Sequence, residues 1–395
     1  MRFLIIDARY PVSLLEAMYA RHTDYGQLGY RAAWRALMDE GLGVADFYSR
    51  SLKKLGHEAE EVVPGCELLQ RQWAVENGLK VPPPARLPGS VRRLLQTAGR
   101  WVSRTGMAGG RLYETLKKPF RTDETWVEEI LAAQVERARP DVLLSHALGE
   151  YDRRFLRRVR PFVKLMVAQH GSLLPPEPPL DCYDLIVSSL PNLVNEFRSR
   201  GVRTEYLRLG FGASVLDRLG TVDPIYDVGF VGGYSGIHLN STRLLEHVAG
   251  KVPVDFWGYG TESLAAGSPV HRRYHGEAWG TAAYRIMAQS RIVLNRHVVR
   301  VSENYANNMR LYEATGVGTM LLTDMKENLP DLFEVGKEVV AYRSAEECVE
   351  LVKYYLDHEH ERQAIAKAGQ QRTLREHTYF HRMQELVEII GRYMP

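Results

Sequence analysis

Arg310 and Glu313 stand three residues apart in the stretch NNMRLYEATGVGTMLLTD (307–324), just past two asparagines. That spacing places both on one face of a helix. Asn307 or Asn308 suits an N-cap, and the pattern predicts a helix from about Met309 to Thr315. The first N–H groups of such a helix have no intrahelical partner. The positive end of its dipole lies there too, so it attracts phosphate. Arg310 can add a two-pronged contact to phosphate oxygens. Glu313, one turn further in, would repel phosphate but suits two neighbouring hydroxyls, as on a ribose. The amides near Asn308, Met309 and Arg310, with Glu313, thus read as a holder for a nucleoside diphosphate. The same spacing also fits an Arg–Glu pair on a solvated helix, and the pattern leaves both readings open.

Two glycine turns point the same way. In GFVGGYSG (229–236) a strand runs into Gly232, Gly233, Tyr234 and Ser235, a turn whose amides can approach a phosphate. It has neither the spacing of a P-loop nor that of a dinucleotide fingerprint. In WGYG (257–260), Gly258 and Tyr259 end another strand and leave backbone groups free to read a base edge. In AQHGS (168–172), His170 falls at the carboxyl end of a strand, where open parallel sheets bind ligands. It is the candidate catalytic base or acceptor contact, and His146 is a weaker candidate of the same kind. A structural histidine capping the strand end is the bland alternative. No His/Cys/Asp cluster has metal-ligand spacing, and no nucleophile elbow occurs, so no metal site is expected.

The elements that must position these residues follow from the alternation of apolar runs and helical periods. At 395 residues the chain exceeds what one core usually serves, and two domains are expected. A net charge of +3 excludes a strong general pull toward nucleic acid. Three scattered cysteines, Cys66, Cys182 and Cys348, fit a reducing cytoplasm. The N-terminal apolar burst is too short for a secretory signal, and no run reaches the length of a membrane span. A first strand at Arg2–Asp7 is followed by a helix over about 30–55, a strand at AEEVVP and a further helix. Strands then recur at DVLLSHAL, VKLMVAQHG, YDLIVSSL and RTEYLRLGF, with helices between them. The pattern restarts near Tyr226 and ends in two helices. This predicts an α/β protein of two doubly wound, parallel-sheet (Rossmann-like) domains facing a cleft. The first domain would cover 1–218 and the second 219–379, with the helix from about 380 to 395 crossing back onto the first. Between Lys80 and Arg121 lie ten Lys/Arg and one acid, Glu114. This basic insertion is either a solvated helical face or a surface for an anionic acceptor or membrane.

In order, FVGG, FWGYG, VLNRH, NNMRLYEATGVGTMLLTD and the long tail from LPDLFEVGKEVVAYR to REHTYFHRMQEL resemble the C-terminal half of the GT-B glycosyltransferases. The resemblance is to the group-one branch that includes CgeB-like spore-maturation proteins. It covers about 227–386; the first half agrees only in alternation and length. It implies glycosyl transfer from a UDP-, GDP- or dTDP-linked sugar to a glycan, lipid or small-molecule hydroxyl, without a cofactor or required metal. Glu313 would bind the donor's ribose diol. The amides near Asn308–Arg310 and the turn at Gly232–Ser235 would flank the diphosphate, and Gly258 and Tyr259 the base. The expected setting is cytoplasmic, with peripheral contact at an anionic inner membrane face as one role for the basic insertion, and no nucleic-acid partner. A sugar-nucleotide epimerase or hydrolase on the same fold, and a non-catalytic nucleotide-sugar binder, are the rival readings.

Overall fold

The computed structural model describes residues 1–7, 10, 12–21, 24–82, 125–146, 148–174, 177–236, 238, 242–298 and 304–395. From residue 83 on, the basic insertion lies outside them, as does position 303. The described chain forms two parallel sheets. In the first, β1 (Arg2–Ile6), β2 (Glu58–Val62), β3 (Val142–Ser145), β4 (Leu165–Gln169), β5 (Leu185–Ser188) and β6 (Thr204–Tyr206) lie in the order β2-β1-β3-β4-β5-β6. In the second, β7 (Tyr226–Gly233), β8 (Asp255–Tyr259), β9 (Ser290–Leu294), β10 (Met320–Asp324) and β11 (Val340–Tyr342) lie in the order β11-β10-β9-β7-β8. Both sheets reverse their order of growth, between β1 and β3 and between β7 and β9. Such switch points open a crevice at the carboxyl ends of the strands.

The strands are nearly continuous apolar runs because both faces are covered. Phe3 and Ile5 face a core shared by the two domains, whereas Leu4 and Ile6 face an outer core with Leu131, Val135 and Phe155. The shared core also takes Val231, Trp257, Val293 and Leu321 from the second sheet. The domains are therefore packed together through apolar side chains.

Three expectations are corrected. The helix expected over 30–55 is two helices, Tyr30–Asp39 and Phe47–Lys54. Gly41, Gly43 and Ala45 all have positive φ (69°, 56° and 42°), which breaks the helical path. The strand expected in RTEYLRLGF stops at Tyr206, and the rest connects the domains. Three helices, not two, follow β11: Ala345–Asp357, Glu359–Glu376 and Tyr379–Gly391. Thr378 opens the last with a capping box completed by His381.

That last helix packs on Phe47–Lys54 of the first domain. Tyr379 stacks on Phe47 with ring centroids 5.6 Å apart and leans on Tyr48 at 5.1 Å. The crossing is fastened by Phe211, whose N–H donates to His377 O at 2.8 Å and whose O accepts from Tyr379 N at 2.9 Å. Arg382, fully buried, donates to Leu209 O and Glu376 O and pairs with Glu385.

The first domain also holds a fully buried carboxyl. Glu61 Oε1 accepts from Ser49 N at 2.7 Å, and Oε2 has no partner among the described residues. Burial pushes its pKa up to about 8, although the bonds from Ser49 pull the other way. An unfolded glutamate titrates near about 4.3. Between these values the folded chain keeps a proton that the unfolded chain has lost, so stability falls as pH rises through that window. One proton gives a slope of at most about 1.4 kcal/mol per pH unit. Glu61→Gln is expected to flatten this decline, read from urea melts at about pH 5, 6.5 and 8. Identical pH dependence in variant and wild type would refute it.

Candidate active site

A cavity of about 360 Å³ opens at the switch point of the second sheet. Its floor is the end of β7, with Gly232 and Gly233, and the end of β8, with Gly258 and Tyr259. These two strand ends are in register, Gly232 opposite Gly258. Gly258 has φ +126°, and a Cβ there would lie 1.8 Å from Gly232 O, so only glycine lets the strand ends meet. One wall is Asn308, Met309, Arg310 and Glu313; the other is Trp279 and Tyr284. The first domain contributes Gly41 and Gly43. Glu40 O anchors that edge by accepting from Thr281 N at 3.0 Å. Gly280 beside it has φ +53°, and a Cβ there would lie 2.1 Å from Glu40 O.

The helix of the first motif runs Arg310–Gly316. Its N-cap is Met309, with no side-chain cap, which corrects the expected asparagine cap. Asn308 is instead spent on the neighbouring strand end: its Nδ2 donates to Asn295 Oδ1 at 2.9 Å. Asn307 reaches the first domain, donating to Gly171 O at 3.4 Å. Glu313 is held at both oxygens, Oε2 by Arg310 Nη1 at 2.6 Å and Oε1 by Tyr284 O–H at 3.3 Å. Arg310 also donates to Val231 O at 2.9 Å. The Arg–Glu pair therefore exists, but it is not on a solvated face: the two side chains are 17% and 13% exposed and line the cavity. Arg310 acts as a brace for Glu313.

Tyr234 and Ser235 are not among the cavity walls. Tyr234 points into the second domain's outer core and donates to Trp257 O at 3.1 Å. Ser235 packs against Gly260, where an added Cβ would lie 2.3 Å from its Oγ. Tyr259 does line the cavity, its ring stacked on Trp279 at 5.2 Å and 13°.

The residue that sequence reasoning missed is Arg296. It follows β9 at the switch point and is 7% exposed. Nη2 donates to Gly233 O at 3.1 Å and to His238 O at 3.3 Å. Nε and Nη1 are buried with no hydrogen-bond partner among the described residues. Burial lowers its pKa to about 10, so the guanidinium stays charged at neutral pH. A buried cation without a carboxylate partner is expensive. In a cavity floored by a glycine turn, it is poised for an anion. His238, also on the wall, is held at about 4 by burial and then by Arg296, and is neutral.

His170 lies outside this cavity wall, after β4 on the first domain. It is buried, its Nε2 has no partner among the described residues, and burial lowers its pKa. The next residue, Gly171, accepts from Asn307, so His170 sits where the domains meet. His146 is a separate site: its Nδ1 lies 3.3 Å from Asp7 Oδ1 and its ring stands edge-on to Tyr48. Among the described residues no cluster of three or more His, Cys, Asp or Glu could hold a metal ion, and no helix is long and apolar enough to cross a membrane.

Residues 240–388, most of the second domain, match the family model described as glycosyl transferase-like. Over the full length, the fold is similar to that of a glycosyltransferase from Rickettsia africae ESF-5, at 9% identity, covering 99% of this chain and 98% of that one, TM-score 0.54. It is also similar to sucrose-phosphate synthase from Thermosynechococcus elongatus, at 10% identity and 99% coverage of both chains, TM-score 0.53. Anabaena Alr3699/HepE in complex with UDP matches at 12% identity over 99% of this chain and 100% of that one, TM-score 0.52. No curated protein matches the chain in sequence. Its two parallel-sheet domains are those of the GT-B architecture.

Proposed function

We propose that the protein moves a glycosyl group from a nucleoside diphosphate sugar to a hydroxyl of a glycan, lipid or small-molecule acceptor. The observation that carries this reading is Arg296, a buried guanidinium on the wall of the switch-point cavity whose Nε and Nη1 have no partner among the described residues. Arg296 and the amides of the Gly232–Gly233 turn receive the diphosphate. They stabilise the charge that develops on it as the glycosidic bond breaks, which assigns to the protein the role a metal plays elsewhere. Glu313, steadied by Arg310 and Tyr284, accepts the two ribose hydroxyls. The stacked Tyr259 and Trp279 form an apolar wall for the base. Occupancy of a similar fold by UDP, in HepE, supports the donor class. The order of motifs favours the CgeB-like branch, and we place the enzyme in the cytoplasm.

His170 is assigned to the acceptor. Its depressed pKa keeps it neutral and able to take a proton from an attacking hydroxyl. His170→Ala is expected to lower turnover about 100-fold while leaving nucleotide affinity within about threefold. Turnover close to wild type would demote it to a strand-end cap.

The reading as a whole is tested by melting the protein with UDP, GDP, dTDP, ADP and CMP. One diphosphate should raise the melting temperature well above the others, and no shift with any would overturn it. Release of nucleotide that does not depend on acceptor would instead favour the hydrolase or epimerase reading.

A further inference from the structure

Beside the cavity, the ends of β9 and β10 carry a second constellation. Asp324, the last residue of β10, accepts at Oδ1 from the backbone N–H of His297 at 2.9 Å and from its Nδ1 at 2.7 Å. Its other oxygen pairs with Lys326 Nζ at 3.1 Å. Burial pushes the Asp324 carboxyl up, but the His297 bond and the Lys326 ammonium outweigh it and hold it at about 2. The carboxylate therefore stays ionised and fixes Nδ1 of the imidazole as the donor. In the neutral imidazole with that tautomer, Nε2 is an acceptor. That atom is buried, in a side chain 1% exposed, and has no partner among the described residues.

A histidine that only packs is finished differently in the same protein. His377 is fully buried, and both its nitrogens are engaged, Nε2 with Leu332 O at 2.8 Å and Nδ1 with Arg382 Nη2 at 2.9 Å. Leaving a buried acceptor unpaired costs about 1–3 kcal/mol. At His297 that cost is borne next to Arg296, whose own free N–H groups are assigned to the diphosphate. His297 follows Arg296, which lines the cavity, so its backbone passes beside the place assigned to the diphosphate. The group joined to it is the sugar, which presents hydroxyls and can donate to Nε2.

We propose that His297 Nε2 accepts a hydrogen bond from a hydroxyl of the donor's sugar, with Asp324 and Lys326 as positioning residues, and that this bond selects the sugar. The inference rests on the reading of the cavity as a nucleotide-sugar site. A buried acceptor built for one hydroxyl rejects a sugar lacking it, because the acceptor is then left unpaired.

His297→Asn keeps an amide nitrogen where Nδ1 lies, and so the bond to Asp324, while deleting Nε2. The probes are UDP and GDP, then UDP-glucose, UDP-galactose, UDP-N-acetylglucosamine and GDP-mannose, titrated by calorimetry into wild type and variant. The expected result is a bare diphosphate bound within about threefold of wild type. The sugar nucleotide that wild type binds tightest should be weakened at least about tenfold, as expected for one lost bond to a buried group. His297→Gln, whose longer amide reaches the place of Nε2, should recover part of the loss. Equal weakening of diphosphate and sugar nucleotide, or no weakening of either, would overturn the proposal while the cavity reading stood. A wild type that binds none of the probes would overturn the cavity reading itself and the proposal with it.

Discussion

Arg296→Met should remove nucleoside diphosphate binding almost entirely while leaving the unliganded protein at least as stable as wild type. The two effects share one cause. Nε and Nη1 of Arg296 are buried donors without acceptors, and the charge they carry is not neutralised by any ion pair among the described residues. Replacing a buried charge that has no ion partner by an apolar side chain of similar length relieves its desolvation. Loss of the bonds to Gly233 O and His238 O offsets part of that gain. In the complex the balance reverses, since hydrogen bonds between charged groups contribute about 1.5–3 kcal/mol each. Two such bonds imply a loss on the order of 100-fold or more in diphosphate affinity. The bare nucleoside, which has no phosphate, should bind nearly as well to the variant as to wild type. Arg296→Lys should fall between, because an ammonium cannot fork across two oxygens. Differential scanning of the unliganded variant, with calorimetry on UDP and uridine, reads every arm. A variant that binds both ligands as wild type does would remove Arg296 from the site.

Glu313→Ala is the second large effect. Glu313 is held by Arg310 and Tyr284 and lines the cavity wall. Two hydroxyls donating to one carboxylate, discounted for partial exposure, amount to roughly 3 kcal/mol, or about 100-fold in donor affinity. Unlike the arginine change, this loss should appear for nucleoside and diphosphate alike. Glu313→Gln keeps one acceptor and should lose less. The sharpest arm uses 2′-deoxy-UDP. Wild type should bind it more weakly than UDP, and that difference should vanish in Glu313→Ala, as a coupled pair requires. If the deoxy penalty survives in the variant, the ribose is read elsewhere.

The sheets were legible because parallel strands covered on both faces must be continuous apolar runs, as RFLII and LMVAQ are. The break at 40–45 could have been seen in EGLG, where two glycines interrupt a helical period. The asparagine cap misled because capping competes with other uses of the same side chain. Asn308 sits opposite Asn295, and the paired amides satisfy each other. Tyr234 was read for its amide, which donates to Tyr259 O at 2.9 Å, while its side chain faces the core. Arg296 was illegible for a simpler reason. A lone arginine after VLN has no spacing to read, and its meaning comes from the glycine turn of a strand more than 60 positions earlier. Only the fold puts Gly233 and Arg296 together.

The helix Tyr379–Gly391 completes a domain that begins at the other end of the chain. During synthesis, β1 to β6 leave the ribosome long before the side chains that cover Phe47 and Tyr48 exist. The first domain must then wait, with that apolar surface bare, while the whole second domain is made. Contacts so far apart in sequence close slowly, and exposed intermediates aggregate. A nascent chain stalled before residue 379 should therefore bind holdase chaperones through its first domain, and release of Tyr379–Gly391 should end that binding.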